Sequence, residues 1–235
     1  MTKSLPLLVH IPRTGGTSLT AMLRAHFPNM LQLSERAQIL KFLGMAEPER
    51  ASFDLIAGHM SFGADAFIGR PCRYFVCLRD PVDRFVSSYF HARSNPANGL
   101  YRFAREHSLR VFAERAPTFM RDNGQTRRLA AYDWAEVLAD GPFWWQRVPV
   151  GEVSRAMLDQ AKANLDRSCV GLFERFAESV SACAAVLRLR SWDTPILNRA
   201  PRDDVEVDSA ALEIIRARHL LDLELYAYAA GRFCH

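Results

Sequence analysis

The chain has 235 residues, of which 49% are hydrophobic, and a net charge of +4. This length suits one domain with a real core, and the mild charge comes without any basic run interleaved with aromatics, which argues against single-stranded nucleic acid as a partner. No apolar stretch approaches the roughly 20 residues that cross a bilayer. Five cysteines (Cys72, Cys77, Cys169, Cys183 and Cys234) are odd in number, scattered and without a CxxC pair. That pattern points to reduced thiols in a cytoplasmic setting rather than a disulfide framework or a zinc site. Arginine supplies nearly all the basic charge, a composition that suits planar recognition of phosphate or sulfate as well as a GC-rich coding bias.

Taken in chain order, residues 4–10 read as a short buried strand, without the apolar core and cleavage site of a signal peptide. Residues 11–16 form a loop with one proline and two glycines. A helix over 17–26 follows, with Leu19, Met22, Leu23 and Phe27 at helical spacing. A second strand over 53–57 ends at Gly58-His59. A third, over 74–78, is almost continuously apolar, as in a parallel strand covered on both faces. It stops at Arg79, where Asp80 as N-cap and Pro81 at the first helical position start a helix reaching about residue 92. The stretch 94–150 is less regular, helical around 101–115 and 133–139, and ends in Phe143-Trp144-Trp145. A fourth strand over 169–173 precedes a helix over 177–189, a loop over 191–204 and one long helix over 209–230. Strands alternating with helices imply an α/β fold, a P-loop-like three-layer arrangement with a central parallel sheet flanked by helices, in a single domain over 1–235.

Two motifs carry chemistry. Residues 10–19 read HIPRTGGTSL between a strand and a helix, the setting of an anion site. Gly15 and Gly16 allow close backbone approach, Thr17 and Ser18 add hydroxyls, Arg13 adds fixed charge, Thr14 completes the nucleotide-binding set, and the helix start directs N–H groups and a dipole at the anion. The string is not a Walker A loop, because the GxxxxGK[ST] pattern is absent, which counts against a magnesium-dependent kinase or NTPase. Residues 79–89 read RDPVDRFVSSY. Arg79 sits at the carboxyl end of a strand, where ligands bind in open α/β sheets. Ser87, seven residues after the cap, falls on the same helix face, so Arg79 and Ser87 can converge on one anion.

HIPRTGGTSL resembles the 5′-phosphosulfate-binding loop of sulfotransferases that use 3′-phosphoadenosine 5′-phosphosulfate (PAPS). The similarity is strongest to the carbohydrate group that includes heparan sulfate 2-O-sulfotransferases and their bacterial relatives, where the usual string is HIPKTGGTS. Arg13 stands where that group has a lysine; the resemblance implies that this position neutralises charge during sulfuryl transfer, which makes Arg13 catalytic as well as nucleotide-binding. The resemblance likewise implies that Arg79 and Ser87 hold the 3′-phosphate. It extends through NGQTRRL at 123–129, VGLFERF at 170–176, Asn198 with Pro201-Arg202, and LDLELYAYA at 221–229. It implies PAPS as co-substrate and a hydroxyl acceptor on a glycan. No metal is expected, since the nucleotide supplies a good leaving group and the sequence holds no Asp, Glu and His cluster with metal spacing, and 94–150 is expected as a helical insertion on the acceptor side.

Sulfuryl transfer needs in-line geometry and stabilised negative charge, and a base for the acceptor hydroxyl. His59 is the candidate base: it ends a strand on the nucleotide rim, its ordinary pKa suits neutral pH, and in the resembled group a GH at this point carries the base. Capping the strand end is the competing role for His59. His10 is the alternative base, while His91, His107 and His219 lie on predicted helices. Arg127 and Arg128 are candidates for an acidic sugar group, and Trp144 and Trp145 for a sugar ring or the core. Two other classes stay open at this point: a kinase or NTPase using the same loop, and a non-catalytic nucleotide- or glycan-binding module. Oligomeric state and the position sulfated leave no trace in the sequence.

Overall fold

The computed structural model describes residues 4–130, 148–193 and 205–232. Strands β1 (Leu5–Val9), β2 (Met30–Gln32), β3 (Leu55–Gly58), β4 (Cys72–Leu78) and β5 (Ser168–Leu172) form one sheet in the order β2-β3-β1-β4-β5, with every neighbouring pair parallel. All residues of β1 and β3 are buried, the mark of strands with helices on both faces.

Side chains alternate between the two faces. Leu8, Leu55, Ala57, Phe75 and Cys169 pack against Leu19 and Leu23 of helix α1 (Gly16–Arg24). Leu5, Leu7, Val9, Ile56, Tyr74 and Val76 face the other way, onto a cluster that includes Ile39 and Phe42 of α2 (Arg36–Gly44). The short α3 (Glu47–Ala51) leads into β3. A separate core joins α4 (Pro81–Ser94), α5 (Tyr101–Glu106) and α6 (Leu109–Arg115) through Phe85, Tyr89, Ala104 and Phe112. Next come α7 (Gly124–Leu129), α8 (Arg155–Asp166), α9 (Phe176–Leu187), α10 (Ser209–Arg218) and α11 (Leu220–Ala230). Leu158 and Leu165 of α8 and Leu225 of α11 close the second face, and Val180 and Cys183 of α9 complete the first.

The α/β arrangement and four of the strands lie where the sequence puts them. Three differences have local causes. The edge strand β2 is only three residues long and half exposed, so it carries no apolar run. The helical stretch 101–115 breaks at His107, where Ser108 accepts from the Val111 N–H at 3.4 Å and starts a new helix. The long helix expected over 209–230 divides at His219, which is fully buried and ends α10. The helix expected over 133–139 lies outside the described residues.

From β1 the chain first builds β2 and β3 on one side, then crosses to β4 and β5 on the other. The strand order therefore reverses at β1, and the crevice at such a switch point opens at the carboxyl ends of the strands. Those ends are Val9-His10, Gly58-His59 and Leu78-Arg79.

Candidate active site

The loop after β1 begins with the sheet pattern still intact, since the His10 N–H donates to Gly58 O at 2.8 Å. Arg13 then takes a left-handed φ of 69° and Gly15 one of 83°. The hydroxyl of Thr14, buried, donates to Ile11 O at 2.9 Å and closes the turn from within. A Cβ on Gly15 would lie 2.6 Å from a Phe176 ring carbon, and one on Gly16 would lie 2.0 Å from Cδ2 of His10. Both glycines are thus required by close approach, and helix α1 opens directly at Gly16. The first-turn N–H groups of such a helix point outward from its N-terminus and attract an anion.

The end of β4 meets this loop. Asp80 caps α4 by accepting from the N–H groups of Val82 at 2.9 Å and Asp83 at 3.0 Å. That cap and Pro81 start the helix at once, which sets Ser87 two turns along it. The Arg13 Nε donates to Ser87 Oγ at 3.1 Å, and Arg79 Nη1 donates to Arg13 O at 3.3 Å. The Arg79 guanidinium also lies over the Phe173 ring, 4.4 Å from its centroid. Burial, and after it the charge of Arg79, lowers the Arg13 pKa. Two cations held this close favour an anion between them.

The end of β3 supplies His59. Its ring lies 4.4 Å from that of His10, and its Nδ1 is 2.9 Å from His10 O. A carbonyl only accepts, so Nδ1 carries the proton and the neutral ring keeps its lone pair on Nε2. Arg128 donates to the His59 carbonyl. The His59 pKa is lowered, first by burial and then by the Arg128 charge, against the raising effect of the His10 carbonyl. His10 is driven down to about 3 by burial and then by the neighbouring His59, Arg128 and Arg13 charges. Both imidazoles are therefore neutral at neutral pH. A cavity of about 480 Å³ adjoins them, lined among others by Thr17, Thr20, Arg24, Gln32 and Ser34.

The structure thus brings the loop 10–18, His59, Arg79 and Ser87 to one rim. It gives other work to two of the expected acceptor residues. Arg127 is fully buried, bonded to Asp122 at 2.6 Å and to Pro149 O at 2.8 Å, so the expectation that it meets an acidic sugar is corrected. Arg128 is buried too and reaches the His59 backbone. Trp144, Trp145, Asn198, Pro201 and Arg202 lie outside the described residues. His219 is engaged in the interior, its Nε2 3.5 Å from Arg84. His91 lies near enough to Arg13 for that charge to lower its pKa, after burial.

Residues without an assigned part in the sequence reading also build the rim. Gln125 bonds both peptide groups of Arg79. Glu174 accepts from the Asp80 N–H at 2.9 Å and from Tyr226 OH at 2.7 Å. Phe173 and Phe176 wall the loop. These lie inside the segments NGQTRRL and VGLFERF, so their presence near the site is signalled by the sequence, though their partners are not.

Among the described residues no three His, Cys, Asp or Glu side chains converge as metal ligands, and no helix is long and apolar enough to cross a membrane. No curated protein matches the chain at a significant level. A crystal structure of a sulfotransferase from Alicyclobacillus acidocaldarius is similar, with 18% identity over 99% of this chain and 96% of that one and a TM-score of 0.49. The sequence model of the Sulfotransferase family matches residues 7–229. With that match running from the first strand to the last helix, the chain belongs to the sulfotransferase family, enzymes that take their sulfuryl group from PAPS.

Proposed function

We propose that this sulfotransferase acts on a saccharide hydroxyl, in the manner of the heparan sulfate 2-O-sulfotransferase-like group, as one domain over 1–235. The observation that carries this reading is the convergence of three adjacent strand ends: the loop after β1, His59 after β3 and Arg79 after β4, joined by the Arg13–Ser87 and Arg79–Arg13 bonds. In this reading the backbone N–H groups of Thr14, Gly15, Gly16, Thr17 and Ser18 and the hydroxyls of Thr17 and Ser18 hold the 5′-phosphosulfate, while the Thr14 hydroxyl shapes the loop from within. Arg79 and Ser87 hold the 3′-phosphate, and the Phe173 ring keeps the Arg79 guanidinium flat against the rim.

PAPS supplies a sulfuryl group on a good leaving group, so sulfur passes to the acceptor oxygen while the acceptor loses its proton. His59 Nε2 takes that proton, because Nδ1 is committed to His10 O. Arg13 balances the negative charge that gathers at the transferring end. The arginine in place of lysine keeps the charge and gains a second fixed geometry through its bond to Ser87. The cavity beside His59 carries the side chains of Thr17, Thr20, Gln32 and Ser34 among alanines, a mixed lining that suits the hydroxyls and the ring face of a sugar. Arg128, from the segment expected to face the acceptor, buttresses the base by donating to the His59 carbonyl. The described cysteines are all free thiols, which suits a reducing, cytoplasmic setting.

The test is transfer of label from PAPS to a library of glycans and non-glycan alcohols by the purified protein. Labelling confined to glycans supports the saccharide reading, and labelling confined to non-glycan alcohols removes it. PAPS bound but never consumed points instead to a non-catalytic module.

A further inference from the structure

We propose that Gln125, anchored by Asp222, is a positioning residue for Arg79 and through it sets recognition of the 3′-phosphate. This rests on the reading of Arg79 given above. Strand β4 is paired with β1 as far as Val76 and with β5 as far as Leu78. Beyond Leu78 both neighbouring strands have ended, so the peptide groups of Arg79 have no strand to pair with. A buried peptide group without a partner is costly, and one satisfied only by water is free to swing.

Gln125 fills that place. Its Oε1 accepts from the Arg79 N–H at 3.1 Å, and its Nε2 donates to Arg79 O at 2.8 Å. One side-chain amide thereby acts as the missing strand, offering one acceptor and one donor at the spacing of a ladder. The side chain is fully buried, so water does not substitute for it. Only glutamine meets the requirement: asparagine is a carbon shorter and glutamate lacks the donor.

Gln125 is itself held at its backbone. The fully buried Asp222 accepts from the Gln125 N–H at 3.0 Å, the Thr126 N–H at 2.7 Å and the Thr126 hydroxyl at 2.8 Å. The same carboxylate lies 3.9 Å from Arg84, on the helix that starts just after Arg79. Both flanks of Arg79, its own peptide groups and the helix behind it, are thus referenced to Asp222. Buried ion pairs add little net stability over apolar packing of the same shape, so stability alone does not account for this arrangement; a fixed geometry does.

The experiment uses Gln125→Met, which keeps length and removes both bonds, and Gln125→Asn, which keeps the amide and shortens it. Calorimetric affinities for 3′-phosphoadenosine 5′-phosphate (PAP) and for AMP are measured with melting temperature, alongside KM and kcat for PAPS. Met is expected to lower PAP affinity about tenfold and Asn less, with AMP affinity nearly unchanged. KM for PAPS rises and kcat at saturation holds. A role confined to the fold would lower the melting temperature and leave the PAP-to-AMP ratio at the parental value, which overturns the proposal. Arg79→Ala in the same assay separates the two readings. If it collapses the ratio while both Gln125 variants keep it, only the positioning role fails; if it leaves the ratio intact, the reading of Arg79 fails and this proposal with it.

Discussion

Arginine plays opposite parts at the rim and in the interior beneath it. Inside, Arg84 and Arg127 are fully buried and each comes with its own carboxylate, Asp222 at 3.9 Å and Asp122 at 2.6 Å. At the rim, Arg13 donates to a hydroxyl, while Arg79 donates to a carbonyl and lies over an aromatic face. The interior pairs close the charge balance locally: Arg84–Asp222 ties α4 to α11, and Arg127–Asp122 ties α7 to the turn before it. The rim pair brings two guanidinium groups to the mouth of a strand-end crevice, where the proposed function places the anionic nucleotide. One residue type thus stands beside a carboxylate in the interior, and beside a hydroxyl, a carbonyl and an aromatic ring at the rim.

That contrast breaks if variants of the two sets behave alike. Asp222→Ala strands a buried Arg84 and empties three hydrogen bonds, so unfolding free energy is expected to fall by about 3–5 kcal/mol, read by denaturant titration. A loss below about 1 kcal/mol would mean that the interior network is not structural. On the rim, His59→Ala is expected to lower kcat by roughly 10²–10⁴ while PAP affinity and melting temperature change little. Near-parental turnover in the folded variant would leave His59 as a strand-end cap and make His10 the next residue to test. Arg79→Ala is expected to weaken PAP binding by roughly one to two orders of magnitude, the value of a charge-assisted bond of about 1.5–3 kcal/mol, with folding retained.

Smaller effects sharpen the contrast. Because burial and Arg128 lower the His59 pKa, the acid limb of kcat against pH should lie below 6.5, with a flat rate from 7 to 8. The sign for stability is the same. His10 has a folded pKa of about 3, below its unfolded value near 6.5, so the unfolded chain takes up the proton first. Its contribution is whole above pH 6.5 and declines as pH falls toward 3. Melting temperature should therefore drop between pH 6.5 and 5; a flat profile there would show that the imidazoles are not held neutral. Least of all, Arg110→Ala removes an exposed pair with Glu114 at 3.2 Å and should change stability by under about 0.5 kcal/mol.

The rim was largely legible in the sequence because its parts are local: a strand, a glycine pair and a helix start in one string, and an arginine, cap and serine in another. Each of those spacings is set by strand or helix geometry. The supports were not legible because they join distant positions. Gln125 reaches Arg79 across 46 residues and Asp222 reaches Thr126 across 96, and no local pattern records such a pairing. Arg127 shows the reverse error: a charged residue beside a motif suggests a ligand, while its burial beside Asp122 gives it a structural task. Helix α8 carries Leu158, Ala161 and Leu165 at helical spacing, a signal that a strand-led reading passes over.

The reach of Asp222 also has a bearing on how the molecule is assembled. The carboxylate that fixes the start of α7, and with it the peptide groups of Arg79, lies on the last described helix. All five strands and the loop after β1 are synthesised before it. A growing chain can therefore pair β1, β3 and β4 and shape the loop while α7 still lacks its anchor. Contacts this far apart in sequence form late, after the entropy of closing a long loop has been overcome. Pairing of β1, β3 and β4 thus precedes the settled position of Arg79, and on the proposed role of Gln125 PAP binding during refolding should lag behind the burial of those three strands.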